Sequence, residues 1–329
     1  MYTKINSTRR SNRALMLIAA SCIPLASAGV VSALPVTIAT VTVGNPGNAA
    51  DPSTGGYYGS VDYTYNIGEY DVTSSQYTAF LNAVAASDPY DLYNSNMAGT
   101  SNGNPGIIQS GSSGSYTYSV ADGRGNNPVT DVTFWDACQF ANWLDNGQPN
   151  GPEGNGTTET GTYTLTSEGE ANNTITRNPG AIWAVTSENE WYKAAYYDPT
   201  LNDDTGGYWE YPTQSNTITT AQANYNSSDT TPVGSYPYPS YYGTYDQGGD
   251  VWQWNESIYD TSYRGLRGGS FSYLGGVLES NIYGIEDPTH EDYELGFRVV
   301  DLAVPEPASL GIFGFGVMGM LVRRRGMRR

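Results

Sequence analysis

The stretch Tyr245-Asp246-Gln247-Gly248-Gly249-Asp250-Val251-Trp252-Gln253-Trp254 crowds two glycines, two carboxylates and two tryptophans into ten positions. It is answered downstream by Arg264-Gly265-Leu266-Arg267-Gly268-Gly269-Ser270-Phe271. Glycine there permits a positive φ or a close backbone approach. Val251 and the two tryptophans predict a short strand with a large apolar payload. Asp246 and Asp250 flank the bend and admit two readings. Either they cap turns, or their oxygens converge on a hard cation.

Working outward, the chain reads as short strands, long turns and about three helices. Its 28 tyrosines and 39 glycines favour that mixture over helical packing. Val36 to Val43 is almost wholly β-branched, and Ser60 to Tyr70 alternates, so both read as strands. Thr73-Ser74-Ser75-Gln76 is a capping box, opening a helix whose apolar face is Tyr77, Phe80, Leu81 and Val84. Phe134 to Leu144 is a second helix and contains Cys138, which reads as a small core residue. Thr162 to Thr166 and Ala181 to Val185 read as strands, with a further one near Ser115 to Val120. Ser187-Glu188-Asn189-Glu190 is another capping box, opening a helix over Trp191 to Tyr197; its two glutamates suit the first turn.

Several of these segments resemble one family. Gly249-Asp250-Val251-Trp252-Gln253-Trp254 is similar to the Gly-Asn-Val-Trp-Glu-Trp signature of the formylglycine-generating enzyme (sulfatase-modifying factor) family. Arg267-Gly268-Gly269-Ser270-Phe271 resembles its Arg-Gly-Gly-Ser-Trp motif, and Gly296-Phe297-Arg298 its closing segment. The stretches from Ile67 to Tyr77, Pro128 to Leu144 and Ser187 to Ala195 resemble its opening and middle elements. The resemblance implies an α+β, C-type-lectin-like fold across residues 36–303. It also implies Ca²⁺, with Asn224, Tyr225 and Asp229 near a first site and Asp246, Asp250 and Gln253 near a second; Gln253 stands where the family has Glu. The family's two copper-binding cysteines fall on Tyr273 and Leu278. A phenol and an isobutyl group do not bind Cu(I) as thiolates do, so no copper is expected. The related sulfoxide-synthase branch needs a histidine cluster for iron; this chain has one histidine, His290, so no iron is expected. The family's cleft falls near Arg267 to Glu279. That makes Trp252, Trp254, Tyr273 and Glu279 candidate ligand contacts, since aromatic faces suit sugars, with core packing as the other reading of each tryptophan.

The ends read as addresses. Lys4, Arg9, Arg10 and Arg13 precede the apolar run Ala14 to Leu25, as in an export signal over residues 1–33. The domain then spans 34–303. Pro305-Glu306-Pro307, the apolar run of residues 308–322 and a closing arginine cluster resemble the PEP-CTERM sorting signal over 304–329. That resemblance implies an exosortase-type sorting enzyme as partner, transient membrane anchoring through 308–322, and delivery to the envelope, surface or matrix. A plain C-terminal anchor is the other reading. Residues 34–303 hold six Lys or Arg against 32 Asp or Glu, a formal −26. Such a surface repels nucleic acid. With Cys22 removed, Cys138 has no partner for an intrachain disulfide. The function expected is a binding or structural module for an extracellular polysaccharide or protein ligand, not catalytic for formylglycine formation. The alternative is an oxidoreductase of the same family using a non-thiolate metal site.

Overall fold

The computed structural model describes residues 35–99 and 103–303. The export signal of residues 1–33, the sorting residues Pro305, Glu306 and Pro307, and the apolar run 308–322 lie outside the described residues. No helix among the described residues is long and apolar enough to cross a membrane.

Local sequence sets the helices. Helix α1 (Ser74–Val84) starts at Thr73, whose hydroxyl accepts from Gln76 N while the Gln76 side chain accepts from Thr73 N. Helix α2 (Phe134–Asp145) uses Thr133 and Asp136 in the same reciprocal way. Helix α3 (Ser167–Ala171) is a single turn behind Thr166, and α4 (Glu188–Tyr196) opens on the Ser187–Glu190 box. Each box satisfies two amides that the first helical turn leaves unpaired; a cap stabilises by about 1 kcal/mol. Helix α4 begins at Glu188 rather than Trp191, because the box residues are themselves the first turn.

The strands are β1 (Thr40–Val43), β2 (Tyr65–Gly68), β3 (Ile107–Ser110), β4 (Thr117–Val120), β5 (Trp183–Val185) and β6 (Tyr197–Asp198). Then follow β7 (Gly207–Tyr208), β8 (Trp252–Tyr259), β9 (Tyr263–Arg267), β10 (Gly284–Glu286), β11 (Leu295–Phe297) and β12 (Val299–Asp301). One four-stranded sheet runs β1-β2-β12-β5, a second β10-β9-β8-β11; β3-β4 and β6-β7 are separate hairpins. Strands β1 and β2 are shorter than the β-branched and alternating runs predict, since their mutual pairing extends only from Thr40↔Gly68 to Val43↔Tyr65. The expected strand at Thr162 to Thr166 is loop. Asn142 on α2 supplies what a neighbouring strand would: its Oδ1 accepts from Tyr163 N at 2.7 Å and its Nδ2 donates to Tyr163 O at 3.1 Å.

The core is aromatic. Tyr77, Phe80, Phe140 and Phe297 meet edge-on or stacked at centroid separations of 5.3–6.5 Å and are fully buried. Aromatic pairs of this geometry add roughly 0.5–1.5 kcal/mol each beyond area burial.

The two large sheets meet at one residue. β11 pairs in parallel with β8, and β12 pairs antiparallel with β2 and β5. Arg298 is the residue between β11 and β12, and it is completely buried. Its guanidinium donates to Gly68 O at 2.7 Å, Tyr245 O at 2.7 Å and Gln253 Oε1 at 3.1 Å, and lies 3.4 Å from Asp71 Oδ2. Burial pushes Asp71 up to about 7 despite Arg298, whose charge pulls the other way. Replacing Arg298 with Met leaves two carbonyls and a buried carboxylate without their donor. Arg298→Met should lose about 3–5 kcal/mol in urea unfolding; a midpoint unchanged from wild type would show that the crossing does not need the guanidinium.

Burial also lifts other carboxyls: Glu153 to about 8, with Asp88 reinforcing it, and Glu291 to about 7, with Asp131 reinforcing it. These groups bind protons in the folded state that they have lost when unfolded, between about pH 4 and 8. Stability therefore falls as pH rises through that window. The thermal midpoint should be higher at pH 5 than at pH 8, and Glu153→Gln should flatten the profile in scanning calorimetry.

Candidate functional site

The bend at Asp246 to Asp250 folds as its glycines require. Gly249 has φ +83°, and a Cβ there would lie 2.2 Å from Asn224 O. Asp246 and Asp250 are themselves left-handed, at φ 57° and 62°. Asp250 N donates to Asn224 O at 2.9 Å, and Phe271 N to Asp250 O at 2.9 Å. The bend is thus seated between the 224–231 loop and the segment after β9. Asp250 Oδ1 accepts from Asn224 Nδ2 at 2.8 Å and from Thr231 N at 2.9 Å. Asp246 Oδ2 accepts from Gly234 N at 2.6 Å. Both carboxylates hold loop amides in place, as in the turn-capping reading. Desolvation raises both pKa values, most strongly at Asp250, where the nearby Asp246 charge adds to it.

Along β8, Trp252 and Trp254 share one face and Gln253 takes the other, and their places along the strand then separate the two tryptophans. Trp254 is fully buried; its Nε1 donates to Val132 O at 3.0 Å and its ring meets Phe134 edge-on. It belongs to the core, the packing reading of this tryptophan, and does not reach a ligand face. Gln253 is also fully buried. Its Oε1 accepts from Trp191 Nε1 at 2.6 Å and from Arg298 Nε, and its Nε2 donates to Asp246 O at 3.0 Å. Trp252 alone keeps an edge open, at 8% exposure.

That edge faces a groove of about 420 Å³. Tyr273, 43% exposed, stands edge-to-face on Trp252 at 5.7 Å and 82°. Ser272, Tyr293, His290, Glu286, Asp292 and Glu294 add polar groups to the lining. Sequence reading did not bring Tyr293, Glu286, Asp292 and Glu294 to the site; the only signal for them was the acidic run Glu286 to Glu294 itself. Glu279 is not part of the lining. It accepts from Tyr211 OH at 3.0 Å beside the small apolar cluster of Tyr211, Ala223 and Leu278, against which Tyr225 also packs.

The metal expectations meet a specific donor chemistry. Calcium takes about six to eight oxygens at roughly 2.3–2.6 Å. Asp229 instead receives Arg124 on both oxygens, at 2.8 and 2.9 Å. Asn224 turns its Nδ2 donor toward Asp229 O and Asp250 Oδ1. The oxygen of Gln253 already has two donors. At Asp229 and Gln253 the oxygens are thus taken up by protein donors, whereas Asp250 Oδ2 is a buried oxygen with no hydrogen-bond partner. Among the described residues, no three His, Cys, Asp or Glu side chains are grouped to hold a metal. At the copper-cysteine positions, Leu278 is completely buried in apolar surroundings and Tyr273 presents a phenol. Cys138 is sealed inside α2, where burial pushes its thiol well up.

Comparisons with known proteins agree with this architecture. Residues 59–303 match the sulfatase-modifying factor enzyme 1-like domain. Residues 303–325 match the PEP-CTERM protein-sorting motif, which implies recognition by an exosortase-type sorting enzyme and export to the cell envelope or surface. The hercynine oxygenase of Mycolicibacterium smegmatis is 30% identical over 148 residues, covering 36% of this chain; the chain spans only 34% of that relative's length. The crystal structure of CarF superposes with a TM-score of 0.52 at 21% identity, covering 82% of this chain and 99% of CarF. Treponema denticola variable protein 1 gives 0.52 at 18% identity, covering 80% and 94%. At these identities the two structures speak for the C-type-lectin-like α+β fold alone. With the bend, the Arg-Gly-Gly-Ser segment and the Gly-Phe-Arg crossing all inside the matched span, this chain belongs to the sulfatase-modifying factor enzyme 1-like family.

Proposed function

We propose that this protein is an exported binding module on a sulfatase-modifying factor scaffold, silent for formylglycine formation, with its ligand face at the Trp252–Tyr273 groove. The observation that carries this reading is the chemistry at the two positions where the family has copper thiolates. One is a phenol on the groove wall, the other an isobutyl group in a packed cluster. Neither supplies a soft anionic sulfur. What remains is an open aromatic edge with polar groups beside it, the composition that suits flat, hydroxylated ligands such as extracellular polysaccharide. Copper-treated protein incubated with a sulfatase-derived cysteine peptide should yield no aldehyde by mass spectrometry; aldehyde formation would overturn the reading. In affinity gels containing extracellular polysaccharide, the full-length chain should be retarded, and Trp252→Ala or Tyr273→Ala should weaken retention by roughly tenfold.

A second reading is an oxidoreductase with a non-thiolate metal. It draws on the oxygenase relative and on His290 in the groove lining, although among the described residues no three metal-donor side chains are grouped there. Stoichiometric iron or copper in purified protein, lost in His290→Ala, would favour it over the binding module.

A further inference from the structure

We propose that Arg124 is the resident cation of the 224–231 loop, taking the place a calcium ion would hold there, so that this part of the fold assembles without calcium. The inference does not depend on what the groove binds.

Arg124 and Asp229 form a planar two-point pair: Nη1 to Oδ2 at 2.8 Å and Nη2 to Oδ1 at 2.9 Å. Arginine is suited to that task, because its fork matches a carboxylate and remains charged at any physiological pH. Asp229 Oδ1 also accepts from Thr230 N at 2.8 Å. The same guanidinium donates to Thr230 Oγ1 at 3.0 Å, and Asn127 Nδ2 donates to Thr230 O and Oγ1 at 3.1 Å each. Val233 N then bonds Asn126 O at 2.8 Å. Two loops distant in sequence are thus clamped at several points, with Arg124 as the only positive charge among them. A divalent ion approaching Asp229 meets a like charge beside it and finds both carboxylate oxygens already paired.

The clamp reaches further than the loop. Gly125 lies against Ser75, and a Cβ there would come 2.6 Å from Ser75 Oγ. That close approach lets Gly125 O accept from Ser75 N at 3.0 Å and Asn127 O from Ser74 N at 2.9 Å. The turn carrying Arg124 therefore also satisfies two amides at the start of α1. On the other side, Asn224 passes the connection to Asp250 and the bend. An ion held by the 224–231 loop alone would not make this link to α1. The side chain of an arginine anchored on the facing turn does.

The test is thermal unfolding of the full-length chain in EGTA against millimolar CaCl₂, with MgCl₂ as control. Wild type should show no calcium-dependent shift. Arg124→Gln should lower the midpoint by about 2–4 °C and recover part of it with CaCl₂, because Asp229 is released. Asp229→Asn should lower it by a similar amount, and the double variant by no more than either single, without calcium recovery. Arg124→Lys should fall between wild type and Arg124→Gln. A saturable calcium-induced rise in wild type, reversed by EGTA, would overturn the proposal, as would an Arg124→Gln midpoint equal to wild type. If Arg124→Gln does not fold, calorimetric titration of wild type with CaCl₂ decides: flat heats support the resident arginine, saturable heats refute it.

Discussion

A guanidinium buried where two sheets cross sets the geometry on which the groove depends. Arg298 sits between a strand that belongs to one sheet and a strand that belongs to the other. It accepts no contact with water and must therefore be met by oxygens on every side. The oxygens that meet it come from β2, from the approach to the bend, and from Gln253 on β8. Because Gln253 is fixed from one side by Arg298 and Trp191, its neighbour Trp252 is fixed on the other, with one edge toward solvent. The groove is thus a consequence of how a charge was buried, as much as of the aromatic residues that line it.

The same economy of cations runs through the domain. Residues 34–303 contain six basic side chains, and each has an internal task. Arg177 joins Glu190 and Glu256, Arg267 joins Glu188, Arg124 joins Asp229, and Arg298 faces Asp71. Arg264 donates to two backbone carbonyls and Asn173 beneath Phe134, and Lys193 donates to Asn45 O. With every cation turned inward, the excess of acid is left to the surface and to buried carboxyls whose pKa desolvation raises. A surface of that sign disfavours nucleic acid and keeps an exported protein soluble.

The family's chemistry does not follow from its scaffold. Fold and function are separable because activity resides in a few atoms carried by a common framework. Here the framework is intact from the opening strand to the crossing, while the positions that the motif resemblance assigns to the family's copper cysteines hold a phenol and an aliphatic side chain.

Sequence by itself determined the elements whose causes are local. The capping boxes at Thr73, Thr133 and Ser187 mark helix starts because side chain and backbone lie within one turn of each other. The glycines at 249, 268 and 269 mark bends because only the residue itself limits φ. The missing thiolates at Tyr273 and Leu278 were legible for the same reason, since chemical identity needs no coordinates. The tertiary structure alone decided which of two similar tryptophans reaches solvent, that Asn142 replaces a strand at Tyr163, that His290 and its acidic neighbours join Trp252, and that Asp229 belongs to Arg124. Each of these is a pairing of residues far apart in the chain, and no local preference of either partner encodes it.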